Sequence, residues 1–167
     1  MRTLALCVLM CALCGPGIPA SAQPQTQTRG AKLEALFTAA QMPFVKTEEG
    51  SYVAVITVDE GESDRFHVYQ TAIGNDPNDE QLQVVHLYFL LGQLPKDAPV
   101  PIALIKQIVE WNAGLTMGKV VILDNTIVYT SSSWLSKTDA DSLSLDALVG
   151  HYASKKLRKD IEPYLKQ

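Results

Sequence analysis

Residues 102–130 read IALIKQIVEWNAGLTMGKVVILDNTIVYT, and the hydrophobic period changes partway along. Ile102, Ile105, Ile108, Val109 and Trp111 recur at helical spacing, so Ile102–Gly114 predicts a helix, with Asn112 or Gly114 supplying a left-handed residue to end it. Beyond Gly118 the pattern is β-branched. Lys119-Val-Val-Ile-Leu123 and Thr126-Ile-Val-Tyr-Thr130 flank Asp124-Asn125, which predicts two strands around a tight turn.

Working outward, Gly30 to Gln41 places Leu33, Leu36, Phe37 and Ala40 on one helical face, and Pro43 closes the segment. Ser51-Tyr-Val-Ala-Val-Ile-Thr-Val58 and Arg65-Phe-His-Val-Tyr-Gln-Thr-Ala-Ile73 are strand-like, and Asp59 to Asp64 between them reads as a solvated hairpin tip. Leu82-Gln-Val-Val-His-Leu-Tyr-Phe-Leu-Leu91 is apolar at successive positions in its later half, which predicts a strand covered on both faces. From about Ser144 to Pro163, Leu145, Leu148, Val149, Tyr152, Leu157 and Ile161 describe a terminal amphipathic helix. Ser144 is its expected N-cap and Asp146 lies in its expected first turn, where the helix dipole favours a negative charge. The expected order is α-β-β-β(β)-α-β-β-α, an α+β domain with an antiparallel sheet and helices packed against it. Residues 31–167 form one such domain, with no internal repeat.

Ile108-Val-Glu-Trp-Asn112, Gly118-Lys119-Val-Val-Ile-Leu123 and Ile127-Val-Tyr-Thr-Ser-Ser132 resemble the YbjN family, whose fold is similar to that of type III secretion chaperones. The resemblance covers most of Lys32 to Leu165 and rests on element order and a short core pattern. It implies a noncatalytic helper or regulatory domain that dimerises or binds protein segments, and it brings no catalytic residues with it. Type III chaperones work in the cytosol, whereas this chain begins with the marks of export.

Those marks are Arg2, an apolar run from Leu4 to Leu13, Gly15-Pro16-Gly17 and Pro19, and Ala20-Ser21-Ala22. This is the order of a secretory signal peptide cleaved after Ala22, and the run falls short of the roughly 20 residues that span a bilayer. Cys7, Cys11 and Cys14 share the spacing of an iron–sulfur ligand run, yet all three lie in the segment expected to be removed. A lipidated cysteine needs a small residue before it, and Met10 and Leu13 stand there instead. The mature chain would carry no thiol and rely on packing alone. Gln23 to Arg29 lacks an apolar period and reads as a flexible leader continuing to Gly30. The location expected is periplasmic or extracellular, with no stable membrane insertion after cleavage.

The whole chain of 167 residues is 47% hydrophobic and 19% charged, enough apolar material for a real core. Its net charge of −4 supplies no electrostatic footprint for nucleic acid. No motif assigns a catalytic residue, cofactor or metal. His67, His86 and His151 are spread over different elements and read as ordinary hydrogen-bonded histidines. The loop Asn75 to Glu80 is rich in oxygen ligands but lacks the EF-hand register, and Asx-turn chemistry accounts for it. Ser131-Ser-Ser-Trp134 has no nucleophile elbow around it. Lys155-Lys-Leu-Arg-Lys159 reads as a solvated helix face, with contact to an anionic membrane surface as the lesser use. Tyr88 and Trp134 are the candidate partner-contacting residues, because interface anchors favour Trp and Tyr; core packing is the competing role for Trp134.

The expectation is therefore an exported, noncatalytic protein-binding module, chaperone-like or regulatory in kind, with a protein or peptide partner and a homodimeric state. A carrier of small apolar ligands is the alternative, motivated by Leu82 to Leu91, and a small exported hydrolase stands behind both.

Overall fold

Alternation of buried and open positions along the strands builds a sheet with one apolar side. The computed structural model describes residues 30–58, 61–74, 76, 79–96 and 99–165. The expected signal peptide with its three cysteines, the expected leader up to Arg29, Asp59 and Glu60, and Asn75, Pro77 and Asn78 of the acidic loop lie outside the described residues. The elements are α1 (Ala31–Ala39), β1 (Phe44–Lys46), β2 (Tyr52–Thr57), β3 (Ser63–Ala72), β4 (Gln83–Gln93), α2 (Ile102–Gly114), β5 (Lys119–Leu123), β6 (Thr126–Trp134) and α3 (Ala140–Leu165). The described strands form one six-stranded sheet, ordered β1-β2-β3-β4-β6-β5, with every neighbouring pair antiparallel. This is the expected α+β order with the fourth early strand present.

The inner face carries Tyr52, Ala54, Phe66, Val68, Val85, Leu87, Phe89 and Tyr129, all buried. Leu33 and Phe37 of α1, Leu104 of α2, and Leu143, Ala147, Leu157 and Ile161 of α3 complete the same core. Phe66 and Phe89 stack at its centre, with centroids 4.9 Å apart. At about 2 kcal/mol for each large side chain, burial of this set is the main favourable contribution to folding. Gly150 lets α3 approach closely: a Cβ placed there would lie 2.2 Å from the Phe89 ring.

Helix ends differ from the sequence expectation for local chemical reasons. α1 stops in a Schellman arrangement, in which the Met42 amide donates to Phe37 O at 2.9 Å and Gln41 takes the left-handed position at φ 55°. α2 ends without a left-handed Asn112 or Gly114; Leu115 follows in extended backbone. Asn112 instead reaches across to β5. Its Nδ2 donates to Val120 O at 2.9 Å, and Val120 N donates to its Oδ1 at 2.6 Å. The carboxamide thus takes the place of a neighbouring strand at the sheet edge, where unpaired backbone groups invite association. α3 begins four residues before Ser144. Asp139 is the cap, accepting from Ser142 N at 2.8 Å while Asp139 N donates to Ser142 Oγ at 2.9 Å. Ser144 Oγ donates back to Ala140 O. Asp146 consequently lies beyond the first turn, and burial pushes its carboxyl upward despite a hydrogen bond with Ser133.

β4 is also not covered on both faces. Its inner residues pack under α3, whereas Leu90 on the opposite side is 51% exposed and no described helix lies over that side.

Candidate functional site

The uncovered face is assembled from alternate residues of three strands. β3 contributes His67, Tyr69 and Thr71; β4 contributes Val84, His86, Tyr88 and Leu90; β6 contributes Val128, Thr130, Ser132 and Trp134. In the cross-strand register His67 opposes Tyr88 and Tyr69 opposes His86, while Tyr88 opposes Thr130 and Val84 opposes Trp134. The register places Tyr88 and Trp134 on one side, separated by four residues of strand or roughly 13 Å. Val84, Val128 and Thr130 are buried and fill the floor. Tyr69 is 43% exposed and Trp134 42%, so Trp134 is not a core residue.

Tyr69 was not singled out by the sequence, although the alternation His67-x-Tyr69-x-Thr71 was the available signal. It joins Tyr88 edge to face at 5.2 Å, and His67 and His86 flank the pair at centroid distances of 6.4 and 6.2 Å. A depression of about 520 Å³ opens beside them toward Leu123 and Asp124 of the β5–β6 turn.

His86 ties three strands together. Its Nε2 lies 2.8 Å from Thr71 Oγ1 on β3, and its Nδ1 lies 2.7 Å from Ser132 Oγ on β6. Burial first, and the Lys119 charge second, hold its pKa below the ordinary histidine value, so the ring is neutral at pH 7. One nitrogen then donates and the other accepts. Here the structure does bring a histidine to a serine of the Ser131–Ser133 run, which no motif announced. The arrangement still differs from a nucleophile relay: the second nitrogen meets a hydroxyl rather than a carboxylate, and a lowered pKa makes a weak base. Ser133 Oγ accepts from Thr138 at 3.3 Å.

His151 sits on the opposite side of the sheet, within an ionic cluster that fastens α3 to β3. Asp64, with a side chain only 11% exposed, accepts from Arg158 Nη1 and Nη2 at 3.1 Å each and lies 3.2 Å from His151 Nδ1. Lys155 Nζ donates to Glu62 at 2.6 and 2.8 Å, and this contact lowers the Glu62 pKa. Lys155 and Arg158 of the basic run therefore pair with Glu62 and Asp64 of the acidic hairpin. A third charged contact binds α1 to β1 and β2: Lys46 Nζ and Tyr52 Oη donate to Glu34 at 3.0 and 2.8 Å, holding its pKa down.

Among the described residues no group of three His, Cys, Asp or Glu side chains is placed to hold a metal ion. Asp79 Oδ1 accepts from Gln81 N at 2.9 Å, an Asx turn of the expected kind. No helix of the described residues is long and apolar enough to cross a membrane.

No family model matches the chain, and no curated protein does. Among solved structures it is similar to a chain in the structure of the HopA1–SchA chaperone–effector complex, with a TM-score of 0.49 and 10% identity, covering 83% of this chain and 99% of that one. It is also similar to a chain in the crystal structure of the Yersinia pestis type III secretion chaperone SycH in complex with a stable fragment of YscM2. There the TM-score is 0.47 and the identity 13%, covering 78% of this chain and 99% of that one.

Proposed function

We propose that this protein is an exported, noncatalytic protein-binding module, chaperone-like or regulatory in kind, that engages a segment of a partner on the uncovered face of its sheet. The observation that carries this reading is the grouping of Tyr69, Tyr88, Leu90 and Trp134 on a sheet face with no described helix above it. A rigid sheet presenting aromatic side chains suits recognition, because Tyr and Trp bury large area at low entropic cost. The YbjN resemblance belongs to the same reading: Ile108–Asn112 lies in the second half of α2, Gly118–Leu123 leads through β5, and the Asn112 bridge to Val120 couples them. Export is supported by Arg2, the apolar run and Ala20-Ser21-Ala22. Homodimerisation is supported by the exposed apolar stripe Ile102, Ile105 and Val109 along α2.

The test is affinity capture from the exported fraction, with wild-type protein and a Trp134→Ala, Tyr88→Ser variant as parallel baits. A partner retained by the first and lost by the second is expected. A partner that binds both equally would refute the sheet face as the site. Light scattering after size exclusion reads the dimer, and a strict monomer at high micromolar concentration removes that part. N-terminal sequencing of native protein reads the cleavage, with Gln23 expected first.

A further inference from the structure

The charges that point outward from the sheet are of one sign. Arg65 of β3 and Lys119 of β5 are exposed on the uncovered side, where the register sets Arg65 opposite Val55 and Lys119 opposite Thr130. No outward-pointing residue of the six strands is acidic, although the whole chain carries a net charge of −4. Lys46, Lys155 and Arg158 are paired with carboxylates of the fold itself. Arg65 and Lys119 have no ion-pair partner among the described residues. His67 and His86 lie between them and are neutral or positive in either protonation state, so neither cancels the field. The Lys119 charge already reaches His86 and helps to lower its pKa.

The carboxylates bordering this face stand at its ends. Asp124 lies five residues along from Lys119, or roughly 16 Å, at the far end of the depression. Glu49 belongs to the β1–β2 turn beyond Tyr69, and Tyr69 is itself four residues, or roughly 13 Å, from Arg65. Both spans exceed the Debye length of about 8 Å at physiological salt, so the two cations keep their field over the middle of the face. Tyr88, Leu90 and Val128 form an apolar strip there, within the depression of about 520 Å³. Arg65 and Lys119 stand on opposite sides of it, three strands or about 14 Å apart, which suits two separate anionic groups rather than one shared group.

We propose that this depression receives an acidic partner segment, whose apolar side chains rest on Tyr88, Leu90 and Val128 while separate carboxylates pair with Arg65 on one side and Lys119 on the other. Such complementarity steers encounter and selects among apolar segments that would otherwise fit alike. A concave strip suits a chain segment better than the flat surface of an anionic bilayer. The inference rests on the sheet-face reading and adds to it the charge of the partner.

Amide NMR titration with two peptides tests it: acetyl-Glu-Glu-Leu-Tyr-Leu-Glu-Glu-amide, and its counterpart with every Glu replaced by Gln. Saturable shifts centred on Tyr88, Leu90 and Val128 are expected, with the Glu peptide bound about fivefold more tightly at low salt and the advantage shrinking at 0.5 M salt, as for about two exposed ion pairs. Arg65→Gln with Lys119→Gln should abolish the preference, and Arg65→Glu with Lys119→Glu should reverse it; both side chains are exposed, so amide dispersion should stay native. Equal affinity for the two peptides, no saturable shift from either, or a preference that survives both double variants would overturn the inference. So would binding to phosphatidylglycerol vesicles without discrimination between the peptides. Shifts on Tyr88 and Leu90 without a Glu preference sink the charge argument alone, whereas shifts from both peptides centred away from the outer face, and unmoved by Tyr88→Ser, sink the sheet-face reading as well.

Discussion

Replacing Gly150 with alanine sets two opposing effects against each other inside α3. Intrinsic propensity favours alanine over glycine in a helix interior by about 1 kcal/mol. Packing opposes it: the new Cβ would stand 2.2, 2.6 and 2.8 Å from three carbons of the Phe89 ring, far inside van der Waals contact. Phe89 has nowhere open to turn, being fully buried, stacked on Phe66 at 4.9 Å and edge to face with Tyr129 at 6.3 Å. Overpacking of this kind costs about 1–3 kcal/mol and more where the neighbours are rigid, so a net loss of about 1–2 kcal/mol is expected. Urea unfolding followed by far-UV circular dichroism reads this as a midpoint lowered by roughly 0.5–1 M. In a Phe89→Leu background the clash is relieved, and Gly150→Ala should become neutral or stabilising by up to about 1 kcal/mol. A Gly150→Ala protein more stable than wild type, with Phe89 intact, would refute the close seating of α3 on β4.

Asn112→Ala removes both bonds to Val120 and reopens the β5 edge. A loss of about 1–3 kcal/mol is expected, together with concentration-dependent association in light scattering, and an unchanged midpoint would count against the bridge. Arg158→Ala leaves nearly buried Asp64 short of its two guanidinium bonds and should cost about 2–4 kcal/mol in the same unfolding assay. Asp146→Asn should stabilise at pH 7 by under about 1 kcal/mol, because burial raises the native pKa and penalises the charged carboxylate. The wild-type penalty is full above the native pKa and vanishes below the unfolded value of about 3.9, so the advantage of the variant should fade on acidification through that window. The His86 ring should titrate below ordinary histidines by NMR. Its depressed pKa supports the fold above about pH 6.5, and this support is lost as pH falls through the native value.

Tyr88 and Trp134 were legible as candidate anchors by residue type, but their joint placement was not. That follows from the pairing Val84 with Trp134 and Tyr88 with Thr130, which joins residues far apart along the chain. Tyr69 was visible only as one of an alternating set whose outward face had no declared covering. Asp64 and Arg158 looked like parts of an acidic turn and a basic helix face, because ninety-four residues of chain separate the two ends of their contact.

The sequence by itself determined the kind and order of the elements. Period 3.6 at Ile102–Trp111 and β-branched runs at Val120–Leu123 and Ile127–Thr130 act through neighbouring residues, where backbone sterics and turn chemistry operate. Tertiary structure alone decided which side of the sheet the helices cover, that Asn112 closes the β5 edge, and that Tyr69, Tyr88 and Asp124 share one depression. Those outcomes depend on strand register and on which apolar surfaces meet. Both are settled by the packing of the whole domain, since the same local pattern is compatible with either face being buried.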